Sequence, residues 1–131
     1  MLYWAIFTAI AAYLVGSMPF GFWVAKLFKG ADFDIRDWGS HNIGATNAIR
    51  VLKWGGIIVF FLDTAKGFIP TYLAYHTLHL GVAVSLIVFA ASFFGHAKSL
   101  YFFITERYWG GGKSVATALG GVAALHNQSW H

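Results

Sequence analysis

The first 25 residues contain the feature that most limits the fold, because no Lys, Arg, Asp or Glu occurs from Leu2 to Ala25. This run of 24 residues exceeds the roughly 20 that cross a bilayer as a helix. A secretory signal peptide would place basic residues before a shorter apolar core, and nothing basic precedes this run. We therefore predict a retained membrane span over residues 2–25, with a kink near Pro19.

The composition of the chain agrees with a protein that is partly solvated by lipid. Of the 131 residues, 58% are hydrophobic and only 11% are charged, whereas soluble domains are roughly 45–50% apolar and about 25% charged. These values argue against a soluble enzyme, a disordered tail and a basic nucleic-acid module. The absence of cysteine excludes disulfides, thiolate metal sites and a cysteine nucleophile.

Three further apolar segments predict the rest of the architecture. Residues 54–75 and 78–95 read as membrane spans, whereas residues 114–125 are too few to cross a bilayer. The predicted fold is all-α: one transmembrane helical bundle over residues 1–131, with three full spans and a partial fourth. We expect the chain to be a shortened form of a longer protein, and a re-entrant final helix is the alternative.

The distribution of basic residues predicts the orientation of the bundle. Eight of the nine Lys and Arg residues lie in two polar loops, residues 26–53 and 98–113, and the ninth is Lys66. Three spans place both loops on one side of the membrane. Because cytoplasmic loops are enriched in Lys and Arg, we predict that both loops are cytoplasmic and that the N-terminus is external.

Within the first polar loop, residues 39–50 combine small hydrogen-bonding residues with one guanidinium. These residues are Gly39, Ser40, Asn42, Gly44, Thr46 and Asn47. Arg50 follows one turn into a predicted helix, where its fork and the free N–H groups of a helix start suit an anion. A turn with a Ser or Thr helix cap accounts for the same residues without a ligand.

The second polar loop contains Gly110, Gly111 and Gly112 before Lys113. Backbone N–H groups and an ammonium at a helix start form a cradle for phosphate. A nucleotide-binding loop of the Gly-x-x-x-x-Gly-Lys-[Ser/Thr] type follows a strand. Here Arg107 stands in place of its first glycine and no strand precedes it, so we reject that class. A flexible glycine hinge remains an alternative. Because both anion-binding loops are predicted on the same face of the membrane, we expect them to form a single phosphate-binding site.

Other polar residues of the apolar segments have simpler explanations. Asp63 and Lys66 are three residues apart and can pair within one helix, so a structural ion pair is favoured over a catalytic role. His76 and His79 could ligate a metal in a turn, but no other feature requires a metal or a cofactor. We predict neither.

Both loops resemble known motifs. Residues 40–50, Ser-His-Asn-Ile-Gly-Ala-Thr-Asn-Ala-Ile-Arg, and residues 111–120, Gly-Gly-Lys-Ser-Val-Ala-Thr-Ala-Leu-Gly, resemble the first two motifs of the PlsY-type acyl-phosphate:glycerol-3-phosphate acyltransferases. The segment 13–21, Asp63-x-x-Lys66-Gly67 and Gly95-His96 are similar to family features in the same order. His41 and Ser114 each replace a family glycine, and residues 97–108 form a longer linker than usual.

The resemblance implies a seven-helix fold and a reaction in the bacterial cytoplasmic membrane. The family transfers a fatty acyl group from acyl phosphate to the 1-hydroxyl of glycerol 3-phosphate and makes lysophosphatidic acid, without nucleic acid or metal. The resemblance implies catalytic roles for Ser40, Arg50 and Lys113. The implied substrate-binding residues are Asn42, Gly44, Thr46, Asn47, Gly110, Gly111, Gly112 and Thr117.

Two alternatives of other classes stay open. The family's third motif, a His…Asn…Arg cluster in a later loop, has no counterpart here, so the chain could be an inactive, truncated remnant. A small transporter subunit, with Asp63 and Lys66 in a polar pathway, is the second alternative.

Overall fold

The computed structural model describes residues 2–113 and 115–126, and this part of the chain is helical without strands. Its α-helices are α1 (Leu2–Gly16), α2 (Phe20–Lys29), α3 (Ala45–Leu52), α4 (Trp54–Tyr72), α5 (Gly81–Ala97), α6 (Leu100–Glu106) and α7 (Val115–His126). A 3₁₀ turn covers Ile35–Asp37, and a π-helical turn, Leu73–Thr77, extends α4. The all-α prediction is therefore confirmed for the described residues.

The predicted kink near Pro19 is a complete break between two helices. Helix α1 ends at Gly16, and Ser17 N and Met18 N donate to carbonyl oxygens of its last turn at 2.9 and 3.1 Å. Pro19 lacks an N–H group and directly precedes α2, where an interior helical hydrogen bond is not required. Residues 2–25 thus do not form one continuous helix, and α2 continues to Lys29.

Three helical stretches are long and apolar enough to cross a membrane. They are Leu2–Lys29, which contains the break, Trp54–Thr77, and Gly81–Glu106, which contains α5 and, after an interruption at Lys98 and Ser99, α6. The third helix begins at Gly81 rather than at the predicted residue 78, and α7 is a shorter apolar helix of 12 residues. Residue 114, the predicted start of the last segment, lies outside the described residues.

Glycines allow the long helices to pack with their backbones in direct contact. A Cβ added at Gly16 would lie 2.2 Å from Ser92 O, and one at Gly95 would lie 2.4 Å from Tyr13 O, so α1 and α5 approach through reciprocal glycines. Small residues have this use in membrane helix pairs, where dispersion contacts replace the hydrophobic effect.

Helix α7 is held against α4 by the same device. A Cβ at Gly67 would lie 1.9 Å from Thr117 O, and one at Gly120 would lie 1.9 Å from Thr64 O. The Thr117 hydroxyl, which is completely buried, also donates to Asp63 O at 2.9 Å. These contacts fix the start of α7 beside the middle of α4.

The two polar loops share a small apolar core at one end of the bundle. Helix α6 lies inside the second polar loop, where the sequence did not predict a helix. It buries Phe102 completely. Phe102 meets the ring of Phe22 edge to face, with 5.1 Å between ring centroids. Ile35 and Ile43 of the first loop belong to the same core. The core therefore joins the loops that carry the candidate site residues.

Candidate active site

A cleft of about 370 Å³ opens between the first loop, α3 and the start of α7. Its lining includes seven of the predicted site residues, Ser40, Asn42, Gly44, Thr46, Asn47, Arg50 and Lys113. Ala45, Phe60, Asp63, His96, Val115 and Ala116 complete the lining. The structure thus brings residues of both loops to one cavity, although 62 residues lie between Arg50 and Lys113 in the chain.

Asn47 shapes the first loop from inside. Its side chain is 1% exposed, and its amide nitrogen donates to Trp38 O at 3.0 Å and to Asn42 O at 2.9 Å. Its amide oxygen accepts a hydrogen bond from Ser40 N at 2.9 Å. With both ends of the amide used, Asn47 positions the backbone of the loop rather than offering groups to a ligand.

Helix α3 begins without the Ser or Thr cap of the alternative explanation. The residue before the helix is Gly44, and the backbone N–H of Gly44 donates to Asn42 Oδ1 at 2.8 Å. Ser40 and Thr46 are exposed, and neither hydroxyl bonds to another residue in the described ranges. Their hydroxyls therefore remain available at the cleft.

Arg50 and Lys113 are both exposed cations at the cleft, and neither forms an ion pair with any residue that the structure describes. Other cations nearby are engaged. Lys26 Nζ donates to the carbonyl oxygens of Ala31 and Phe33 at 2.9 and 3.0 Å. Two free cations in one cleft attract an anion, because their charge is not neutralised within the protein.

Arg36 uses its charge to tie the loops together. Its guanidinium makes hydrogen bonds of 2.7–3.1 Å to the Asp34 carboxylate and two of 3.0 Å to that of Glu106 on α6. It also lies over the rings of Phe22 and Phe102, 4.9 and 4.8 Å from their centroids. The hydrogen bonds from Arg36 lower the pKa of Asp34, and those carboxylates raise the pKa of Arg36. This cation is a structural link and does not line the cleft.

The glycine loop lies directly against His96. Gly112 N donates to His96 O at 3.0 Å, and Ser99 N donates to Gly110 O at 2.9 Å. A Cβ at Gly111 would lie 2.0 Å from His96 O. The backbone can follow this path only because residues 111 and 112 have no side chains. Gly110, Gly111 and Gly112 are not part of the cleft lining, so the structure places them behind Lys113.

Thr117, which the resemblance implied as a substrate-binding residue, is also absent from the cleft lining. Its hydroxyl is used by the contact with Asp63 O between α7 and α4. His41, in contrast, is exposed and turned toward the backbone, with Nδ1 2.8 Å from Arg36 O. Its φ of 65° is in the left-handed region, which accounts for the family glycine at this position.

The sequence did not predict that His96 and Asp63 belong to the site. Both line the cleft although they lie in α4 and α5, whereas the predictions assigned the site to the loops alone. The expected ion pair of Asp63 and Lys66 is confirmed, with 3.1 Å between Oδ1 and Nζ. A histidine at the end of an apolar helix, followed by a glycine loop, was the available signal.

No group of three or more potential metal ligands forms within residues 2–113 and 115–126. His76 and His79, considered above for a metal, lie near the turn that follows α4. There, the Nε2 atom of His76 is 3.1 Å from Ala124 O on α7.

The helices and the cleft define the class of this protein: a multi-pass membrane protein that is helical over the described residues, with the exposed cations Arg50 and Lys113 lining a cleft. A family model described as glycerol-3-phosphate acyltransferase matches residues 6–130. The chain belongs to the glycerol-3-phosphate acyltransferase family.

Relatives and solved structures are similar over nearly the whole chain. The glycerol-3-phosphate acyltransferase of Aquifex aeolicus (strain VF5) is 46% identical over 122 residues, covering 92% of this chain and 59% of the relative. That of Acholeplasma laidlawii is 40% identical over 133 residues, covering 94% and 54%.

Two crystal structures of PlsY, an integral membrane glycerol 3-phosphate acyltransferase, are also similar. The glycerol 3-phosphate form superposes with a TM-score of 0.82 at 43% identity. The lysophosphatidic acid form superposes with a TM-score of 0.79 at 44% identity. Each comparison covers 95% of this chain and 58% of PlsY. The chain thus spans a little over half the length of these relatives.

Proposed function

We propose that this chain transfers a fatty acyl group from acyl phosphate to the 1-hydroxyl of glycerol 3-phosphate, giving lysophosphatidic acid and phosphate. The observation that carries the proposal is the convergence of Arg50 and Lys113, two cations without an ion pair in the described ranges, on one cleft at the end of apolar helices. Both substrates carry phosphate and the donor carries a lipid tail. Membership of the family supports the same reaction.

The reaction requires binding and orientation more than a reactive side chain. The hydroxyl oxygen of glycerol 3-phosphate attacks the acyl carbonyl carbon, and the bond from that carbon to the phosphate oxygen breaks. Phosphate leaves with the electron pair, and the hydroxyl proton ends on the released phosphate. Because acyl phosphate is an activated mixed anhydride, alignment supplies much of the rate, and fixed donors stabilise the charge on the leaving group.

The proposed roles follow from what each side chain contacts. Arg50 and Lys113 neutralise phosphate charge, and the free hydroxyls of Ser40 and Thr46 orient the substrates. Asn42 and Asn47 are positioning residues, since their amides hold the loop backbone. Gly44 leaves the start of α3 open to the ligand.

The glycine loop and Thr117 act one step further from the substrates. Gly110, Gly111 and Gly112 would place Lys113 and offer backbone N–H groups to acyl phosphate. Thr117 keeps the start of α7 against α4 through its hydrogen bond to Asp63 O.

We further propose that the chain lies in the bacterial cytoplasmic membrane with its N-terminus external and the cleft cytoplasmic. The proposed spans are Leu2–Lys29 with its break, Trp54–Thr77 and α5, and α7 would be part of a fourth. The positions of the basic residues support this orientation. Because the chain has no cysteine, single cysteines can test it in whole cells.

In that test, Lys53→Cys should be protected from a membrane-impermeant maleimide in intact cells and become labelled after permeabilisation. His79→Cys, which is exposed in the turn before α5, should be labelled without permeabilisation. The opposite pattern would overturn the proposed orientation.

The activity is tested with the purified 131-residue chain in lipid, given palmitoyl phosphate and labelled glycerol 3-phosphate. We expect labelled lysophosphatidic acid, and we expect Arg50→Ala and Lys113→Ala each to lower kcat/KM by about 100-fold or more, on the order of 3 kcal/mol. Lys29→Ala is the matched control, since Lys29 is an exposed cation outside the cleft.

Each negative outcome has a distinct meaning. Absence of product from the wild-type chain would overturn the catalytic proposal and favour a non-catalytic member of the family. Near wild-type activity in Arg50→Ala or Lys113→Ala would overturn the role of that residue. Substrate flux through liposomes without acyl transfer would favour a transporter instead.

A further inference from the structure

Three ionisable side chains form a buried cluster at the wall of the cleft. Asp63, Lys66 and His96 are 1%, 2% and 3% exposed. Lys66 Nζ lies 2.6 Å from His96 Nδ1, 3.0 Å from Met18 O and 3.1 Å from Asp63 Oδ1. Lys66 also lines an apolar groove, which offers no counter-charge. Its charge is balanced within the protein by Asp63. A buried ammonium persists only when it is paired in this way.

The position of Lys66 fixes which nitrogen of His96 carries the ring proton. An ammonium has three N–H donors and no acceptor, so the His96 nitrogen at 2.6 Å accepts a hydrogen bond from Lys66. A neutral imidazole carries one proton, and with Nδ1 as the acceptor this proton is on Nε2. The second nitrogen of His96 is therefore a donor.

That donor is directed at the glycine loop. A Cβ at Gly112 would lie 2.3 Å from His96 Nε2, and Gly112 directly precedes Lys113. His96 lines the cleft together with Lys113 and Arg50. Across residues 2–113 and 115–126, no protein group forms a hydrogen bond with Nε2. Nε2 is not one of the buried side-chain atoms that lack a partner in the described residues, so this donor is accessible to a ligand in the cleft.

We propose that His96 donates its Nε2–H to an anionic oxygen of a phosphoryl group bound in the cleft, and that Lys66 is a positioning residue that selects this tautomer. The inference rests on the proposed function, because it deepens the description of the same site. It also means that His96 does not accept the hydroxyl proton of glycerol 3-phosphate, since the nitrogen facing the cleft is already protonated.

The tautomer is measured directly by long-range ¹H–¹⁵N NMR of the full chain, labelled with ¹⁵N-histidine, in detergent micelles. His96→Asn assigns the resonance. We expect a single Nε2–H form of His96 in the wild type, and a mixture of tautomers in Lys66→Met. A wild-type proton on Nδ1, or a mixture of tautomers in the wild type, would overturn the inference.

The ligand contact is measured by adding three probes to the same sample: inorganic phosphate, glycerol 3-phosphate and hexadecylphosphonate, a donor analogue that cannot transfer an acyl group. We expect the Nε2 resonance of His96 to shift on binding, while exposed His79 stays unchanged. A response to hexadecylphosphonate alone assigns the contact to the donor phosphate, and one to glycerol 3-phosphate alone assigns it to the acceptor. Binding of these probes without a shift of His96 would overturn the contact.

A pair of substitutions separates the donor from the structural role of the ring. His96→Asn keeps an oxygen near the Nδ1 position for Lys66 but has no group at the Nε2 position. His96→Gln reaches further and restores an N–H donor there. We expect affinity for the probe that binds to fall about tenfold in the Asn variant, as for a lost hydrogen bond to a charged group, and to recover in the Gln variant.

The two proposals fail in different ways. Wild-type affinity in a folded His96→Asn variant would overturn this inference while acyl transfer remained. Absence of acyl transfer by a chain whose His96 resonance still responds to phosphate would overturn the catalytic function and leave this inference standing.

Discussion

The backbone of Gly112 passes so close to His96 that a Cβ at residue 112 would lie 2.3 Å from the imidazole Nε2. Gly112 N also donates to His96 O at 3.0 Å, so the loop cannot move away without losing that hydrogen bond. A glycine is therefore required at residue 112 because a side chain would clash with His96, and not because its backbone angles are closed to other residues.

Gly112→Ala should displace either the ring of His96 or the loop that carries Lys113. We expect the affinity for hexadecylphosphonate to fall by about tenfold, equivalent to about 1.4 kcal/mol, as measured by titration calorimetry in micelles. Gly55→Ala is the control, since its methyl group would meet only side chains of Leu52 and Phe28. Equal losses in the two variants would contradict a local effect at His96.

Arg50→Lys tests whether the cleft requires a guanidinium or only a positive charge. Arg50 is exposed at the cleft without an ion pair in the described part of the chain, and only its planar fork can bind two phosphate oxygens at once. We expect the lysine variant to lose about tenfold in kcat/KM, less than the loss of about 100-fold expected for alanine. Full activity in Arg50→Lys would show that charge alone suffices.

Asp34 should contribute stability that depends on pH. Its hydrogen bonds from Arg36 lower its pKa below the ordinary 3.8, so the folded state binds a proton less readily than the unfolded state. The resulting stabilisation is complete above the ordinary pKa and is lost as the pH falls through the lowered folded pKa.

We expect Asp34→Asn to unfold at a lower temperature than the wild type at pH 7. The corresponding loss in free energy of unfolding is about 1 kcal/mol or less, because the pair is partly exposed. The two melting temperatures should converge as the pH approaches 2. Asp32→Asn, at an exposed neighbouring carboxylate, is the control. A difference between wild type and Asp34→Asn that stays constant from pH 7 to pH 2 would contradict this explanation.

His41→Gly should stabilise the first loop. His41 has a φ of 65°, and a residue with a Cβ is disfavoured there by about 1 kcal/mol relative to glycine. Its hydrogen bond to Arg36 O lies at the surface and is of little consequence. We expect a higher melting temperature for His41→Gly than for His41→Ala, because both lose the ring and only glycine relieves the backbone. A lower melting temperature for His41→Gly than for His41→Ala would show that the backbone of residue 41 is not strained.

The sequence predicted the site loops because their chemistry is local. Arg50 and Lys113 each follow small residues within one loop, and the charge pattern predicts that both loops lie on one side of the membrane. The structure brings both residues to the same cleft. The sequence did not predict α6, because its seven residues are stabilised by packing of Phe102 against Phe22 and by the link from Arg36 to Glu106, both contacts between distant parts of the chain.

The helical class, the apolar segments and the identity of the cations follow from the order of the residues, since hydropathy and charge are local properties. Which polar groups meet depends on how the helices and loops pack. Asn47, predicted as a donor to a ligand, is used up by Trp38, Asn42 and Ser40. His96, which had no assigned role, lies at the cleft because α4 and α5 place Lys66 against its ring. Hydrogen bonds within a folded loop, like those between separate helices, depend on backbone positions that local sequence patterns do not encode.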